Sequence, residues 1–134
     1  MNNKSKKIFC EISAGDLLDK ISILEIKLSK ITNKNNHKKI NKEYKILKGI
    51  AKSSFKKNPK INSLFTKIKK INLILWNVED KIRVCEKNKN FDKKFIALAR
   101  KVYFTNDMRA RIKSKINSAT NSSIVEIKKY INYL

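Results

Sequence analysis

The sequence predicts an all-α fold: an antiparallel up-and-down bundle of about four main helices with a short C-terminal helix. Three observations predict it. Apolar residues recur at helical spacing over long stretches. Only two glycines and one proline occur, too few for the turns of β-sandwiches and barrels or for glycine-rich nucleotide loops. The polar breaks between periodic stretches are short, as expected where successive helices turn back on each other. With 134 residues and 41% hydrophobic content, the chain can build one packed core. It holds no internal repeat and no long linker, so 1–134 reads as a single helical domain.

Residues 1–7 read as a flexible basic tail, and Ile8 to Ile12 as a short extended segment. Ser13 opens the first helix, with Asp16 favoured in its first turn by the helix dipole. Leu17, Ile21, Leu24, Leu28 and Ile31 form its inward stripe. Asn33 to Asn36 break the pattern. A second helix is expected over about 38–54, with Ile40, Tyr44 and Leu47 inward, followed by a loop from Ser53 to Pro59. The third spans about 60–87, and Asn88 to Asn90 make a turn. The fourth covers about 91–118, with a bend expected near Thr105 and Asn106. Ser123 and Glu126 have capping-box spacing, which predicts a last helix over about 124–132.

The charge is extreme and uneven. Thirty-three basic residues against eleven acidic give +22. Residues 26–75 carry fifteen lysines and a single acid, Glu43. Clustered lysine suits nucleic acid, because phosphate contacts release counterions. Lys, Asn and Ile supply nearly half of the chain, however, so codon bias toward AT accounts for much of the lysine. No apolar run reaches the 18 or so residues of a membrane span, and the basic N-terminus lacks the apolar core of a signal peptide. Two distant cysteines, Cys10 and Cys85, fit neither a disulfide framework nor a metal motif, which suggests a reducing compartment and a cytoplasmic protein. His37 is the only histidine, which removes His-based metal sites and Ser-His or Cys-His catalysis. No metal or cofactor is expected.

The informative residues are polar ones lying where the apolar stripe should run. At 100° per residue, Asn72, Glu79, Arg83 and Glu86 share a face with Ile61, Phe65, Ile68 and Leu75. On the fourth helix Asn106, Arg109 and Lys113 continue the stripe of Phe95, Leu98 and Val102. On the first helix apolar residues surround most of the circumference, yet Asp19 and Glu25 interrupt them. Charges facing inward cost several kcal/mol each unless paired, so these groups are expected to meet. Bundle geometry places Asn72 beside Asn106 with Glu25 near the same level. It sets Asp16 and Asp19 near Arg109 and Lys113, with Glu79, Arg83 and Glu86 toward the far end. Only four arginines occur among so many lysines, at 83, 100, 109 and 111. A planar bidentate fork is the physical reason to retain Arg. Glu79–Arg83 and Asp107–Arg111 have the spacing of ordinary helix ion pairs, whereas Arg100 and Arg109 have no acid at that spacing. Trp76, Tyr44 and Tyr103 are read as core or rim packing.

Three stretches carry a family resemblance. Glu11-Ile-Ser-Ala-Gly-Asp-Leu-Leu-Asp-Lys-Ile-Ser-Ile-Leu-Glu-Ile-Lys27 resembles the opening motif of a small bacterial family known only as a domain of unknown function. Leu75-Trp-Asn-Val-Glu-Asp-Lys-Ile-Arg83 with Glu86 resembles its second motif. Phe95 to Tyr103 with Asn106-Asp-Met-Arg-Ala-Arg-Ile-Lys113 resembles its third. The ending Ser122 to Tyr130 is similar too, but departs at Asn121, where the family commonly has glycine, and at Ile127, where it has a second acid. The resemblance implies a surface-glycan or glycosyltransferase context and transfers no catalytic residue.

Four functions compete. In the first, Asp16, Asp19, Glu25, Asn72, Glu79, Arg83, Glu86, Asn106, Arg109 and Lys113 line a polar pocket for a small anionic ligand of the phosphorylated-sugar kind, making the protein a binding or accessory module. In the second, the bundle is an enzyme; Asp16-x-x-Asp19 and Glu79-Asp80 approach, without matching, the carboxylate spacing of Mg²⁺-dependent nucleotide hydrolases. In the third, the lysine face of 26–75 binds nucleic acid. In the fourth, the inward polar groups are a purely structural ion-pair network. The sequence leaves the oligomeric state open.

Overall fold

The computed structural model describes residues 5–134, so the first four residues of the expected tail lie outside it. Four helices form: α1 (Ala14–Lys30), α2 (Lys34–Ser54), α3 (Pro59–Lys87) and α4 (Lys93–Thr120), with no strand among the described residues. Residues 5–12 have no regular structure, and Ile8 and Phe9 are fully exposed.

Local chemistry sets each boundary. The Ser13 side chain accepts from the Asp16 amide at 3.1 Å, capping α1. Asn33 does the same for α2 through the Asn36 amide at 3.0 Å. The asparagine run read as a break is therefore the cap and first turn of α2, which begins at Lys34 and not near 38. An N-terminal turn tolerates such side chains because its amides need acceptors. Asn58 caps α3, with Pro59 at the first helical position, where its missing amide costs nothing. Asp92 caps α4, which runs unbroken through Thr105 and Asn106. It ends at Asn121, whose backbone is left-handed (φ 51°), a conformation that glycine and asparagine adopt most readily.

The elements pair as two hairpins. In the first, Glu25 of α1 meets Tyr44 of α2, while Leu18 and Ile21 lie by Ala51. In the second, the start of α3 lies beside the end of α4, with Lys60, Ser63, Leu64 and Lys67 flanked by Ser114, Lys115 and Ser118. α1 packs on α2, α3 and α4, whereas the α2 and α3 backbones nowhere approach within 8 Å. The core collects Ala14, Leu17, Leu18, Ile21, Ala51, Leu64, Ile68 and Ile116. Ile21, Ile68 and Ile116 are almost wholly buried, so each loses a large apolar area to water on unfolding.

The expected C-terminal helix is absent. Residues 122–134 run without regular structure along α4. The groups expected to cap it are engaged in other contacts. Ser122 Oγ accepts from the Ala14 amide at 3.1 Å and donates to the Ile124 carbonyl at 2.7 Å. Glu126 pairs with Lys113 and Lys128. A helix of so few residues is marginal by itself, and here long-range contacts to α1 and α4 outcompete it. Further along, Tyr133 donates to Asp107 and packs edge-on against Tyr103 and Phe104. Tyr103 is thus a surface residue under the tail; the tail covers it, not the core. No helix among the described residues is long and apolar enough to cross a membrane.

Gly15 permits the closest approach of α1 to α4. A Cβ there would sit 2.7 Å from the Lys113 carbonyl oxygen and 2.9 Å from Asn117 Oδ1, while Gly49 in α2 has nothing within 4 Å. Gly15→Ala must therefore push the helices apart and is expected to destabilise by about 1–3 kcal/mol. Gly49→Ala should stabilise by about 0.5–1 kcal/mol, through helix propensity alone. Chemical denaturation of the two variants checks the contrast, and equal effects would contradict the close approach.

Candidate functional site

The inward polar residues assemble around Asp19. Its side chain is 7% exposed. Arg109 of α4 donates from Nε to Asp19 Oδ1 at 2.8 Å and from Nη2 to Oδ2, a bidentate fork. Asn72 of α3 donates through Nδ2 to the same Oδ1 at 2.8 Å and to Ser22 Oγ at 2.8 Å. Ser22 donates in turn to the Asp19 carbonyl at 2.7 Å. Three helices meet here, and no buried side-chain nitrogen or oxygen among the described residues lacks a partner. The hydrogen bond to Asp19 raises Arg109 above its ordinary value against the opposing effect of burial.

A second set lies one turn away. Lys113 Nζ sits 2.7 Å from Asp16 Oδ1 and 3.0 Å from Glu126 Oε2. Burial works against the ammonium, but the two carboxylates outweigh it and raise its pKa. Glu126 is lowered by its hydrogen bonds to Lys128 and Lys113. Beside them Asn117 Oδ1 accepts the Gly15 amide at 2.7 Å. The first amides of α1 are thus taken by Ser122, Asn117 and Ser13.

Other expected members are elsewhere. Glu25 joins a separate group, accepting from Tyr44 at 3.0 Å and Lys69 at 2.8 Å, with Lys48 at 3.8 Å. Burial, then the neighbouring Glu25, raises the Tyr44 phenol. Asn106 is exposed, and its buried neighbour in sequence is Thr105; Asn72 meets Asp19 instead. Glu79, Arg83 and Glu86 are exposed and form local pairs only, Arg83 with Glu79 at 3.4 Å and Lys89 with Glu86 at 3.7 Å. The 17-residue α1 has no counterpart there. The same face of α3 that meets α1 at Asn72 therefore meets water beyond it. Arg100 lies over the Phe104 ring at 5.8 Å. Sequence reading missed Ser22, Gly15, Asn117 and Ser122, and treated Tyr44 only as packing. Gly15, one of only two glycines, was the available signal. Small polar residues in a helix give none.

Arg109 and Lys113 thus spend their charge on Asp19, Asp16 and Glu126. Lysines sit instead around a cleft of about 850 Å³ between α2 and α3. Leu18, Ile21, Ala51, Ile61 and Phe65 line it, with Lys48, Lys52, Lys56 and Lys57 around them and no acidic residue in the lining. Among the described residues no carboxylate lies within ion-pair distance of Lys52, Lys56 or Lys57. Also among the described residues, no group of three His, Cys, Asp or Glu side chains is placed to hold a metal.

Fold and site together define a basic, two-hairpin helical domain with an internal ionic frame and a cleft flanked by lysines of α2 and the α2–α3 connection. The chain belongs to the family of unknown function DUF6165, whose profile matches residues 8–134. No curated protein and no solved structure matches it.

Two predictions follow from the network. Asp19→Ala is expected to cost about 3 kcal/mol or more, because it leaves Arg109 and Asn72 facing an empty buried site. The Asp19→Ala/Arg109→Ala double variant should cost clearly less than the sum of the singles, which a double-mutant cycle of denaturation energies measures. The lowered Glu126 contributes stability that is full above its ordinary value of 4.5 and is lost as pH falls through the depressed folded value. The difference in melting temperature between wild type and Glu126→Gln should therefore be present near neutral pH and shrink progressively as pH falls below 4.5.

Proposed function

We propose that this protein is a binding module for a phosphate-bearing anion, held between α2 and α3. One observation carries the reading. Lys52, Lys56 and Lys57 flank a cleft that has no acid in its lining, in the stretch where fifteen lysines face one acid. Like charges on the two helices repel, and the absence of backbone contact between α2 and α3 is in keeping with that repulsion. An anion entering between them offsets the repulsion and gains several ammonium contacts at once. The Arg109 and Lys113 group serves in this reading as the frame that holds α1, α3 and α4 in register. A phosphorylated sugar, in keeping with the glycan context that the sequence resemblance implies, is one such anion.

The lysine face gives a second reading. Lys38, Lys39, Lys42 and Lys45 share one exposed surface of α2, which suits a nucleic-acid backbone. That binding would depend steeply on salt and little on the cleft.

Pyrophosphate is expected to raise the melting temperature by several degrees over chloride at equal ionic strength. The Lys52→Glu/Lys56→Glu variant should lose that increment while keeping its helical circular dichroism. Equal melting in pyrophosphate and chloride would remove the anion reading. A stabilisation retained by the variant would move the site to the exposed α2 face.

A further inference from the structure

The cleft is more than a cationic rim. Its floor is apolar: Leu18 and Ile21 are buried members of the core, and Ala51, Ile61 and Phe65 pack against them. A fully hydrated anion such as inorganic phosphate has no use for such a floor, and neither does a phosphodiester backbone, which reads surface charge. The volume lies within the range of about 300–1,000 Å³ typical of small-molecule sites. Lysine stems extend the apolar surface upward while their ammonium groups stay in water. Lys48 instead places its ammonium over the Phe65 ring, 5.5 Å from the centroid. Lys56 and Lys57 lie on the α2–α3 connection, with Phe55 beside them at the mouth.

Resting on the anion reading above, we infer that the ligand is a single amphiphile: a phosphate monoester carrying an aliphatic chain. The phosphate sits among Lys52, Lys56 and Lys57. The chain lies on Leu18, Ile21, Ala51, Ile61 and Phe65. Two features choose this occupant. The lysines of α2 and the α2–α3 connection, with no carboxylate in the lining, call for negative charge on that side. The neutral hydrogen-bonding side chains of the lining, Ser53, Ser54 and Asn62, are exposed, so the buried part of the floor is aliphatic and phenyl only. A membrane surface is a poorer match, because the apolar part is recessed between helices and not presented on a convex face.

The test is a chain-length series of butyl, hexyl, octyl and decyl phosphate, held below micellar concentrations and followed by calorimetry with the full chain. Affinity should rise roughly two- to fourfold per added methylene, the upper figure being that of a fully buried CH₂. Adenosine monophosphate should bind no better than butyl phosphate. In methyl-resolved NMR, octyl phosphate should shift Ile21, Ala51 and Ile61 before any methyl of the distal α3–α4 hairpin. This readout does not depend on a variant that fails to fold. Affinity independent of chain length, with pyrophosphate still stabilising, overturns the amphiphile and leaves the anion reading standing. Failure of both alkyl phosphates and pyrophosphate overturns both readings. Adenosine monophosphate binding more tightly than octyl phosphate replaces the chain by an aromatic base. Binding to anionic vesicles without binding of monomeric alkyl phosphate replaces it by a membrane surface.

Discussion

The carboxylate of Asp19 constrains the rest of the structure, because a charge buried to this degree is tolerable only with its partners in place. Arg109 supplies both arms of its fork, and Asn72 donates to the same carboxylate. Those partners come from α3 and α4, so satisfying one side chain fixes three helices relative to each other. Apolar burial gives the core its stability but is tolerant of sliding; a bidentate pair is not. The neighbouring Gly15 belongs to the same constraint. Its missing Cβ lets α1 come close enough to α4 for the Gly15 amide to reach Asn117 and for Asp16 to reach Lys113.

That constraint also determines where function can lie. The cations that attract attention in the sequence, Arg109 and Lys113, are neutralised from within by Asp19, Asp16 and Glu126. Charge left unneutralised concentrates on α2 and the start of α3. α2 is tied to the molecule through α1, by Tyr44 and Lys48 on Glu25 and by the packing of Ala51. The cleft lies between α2 and α3 over an apolar floor supplied in part by Leu18 and Ile21 of α1.

The tail shows how long-range contacts override a local signal. Ser123 and Glu126 have the spacing of a capping box, yet Glu126 gains more from the ammonium groups of Lys113 and Lys128 than a short terminal helix returns. Likewise Tyr133, which no periodicity marks, is held by Asp107 and by two aromatic rings. Such contacts join residues far apart in the chain or lie outside any helical repeat, so no window of sequence contains them.

Helical periodicity, sparse glycine and capping side chains determined the class of fold, the four main helices and most of their ends, because these signals act within a few residues. The same periodicity placed Asp19, Asn72, Arg109 and Lys113 on inward faces, and desolvation required that such groups find partners. Which partners they found was a tertiary decision. It depended on how far α1 extends along the α3–α4 hairpin, which leaves Glu79, Arg83, Glu86 and Asn106 in water and sends Glu25 to Tyr44 and Lys69. The cleft was equally invisible in the sequence: it is the gap between two helices that share a charge, and gaps have no residues of their own.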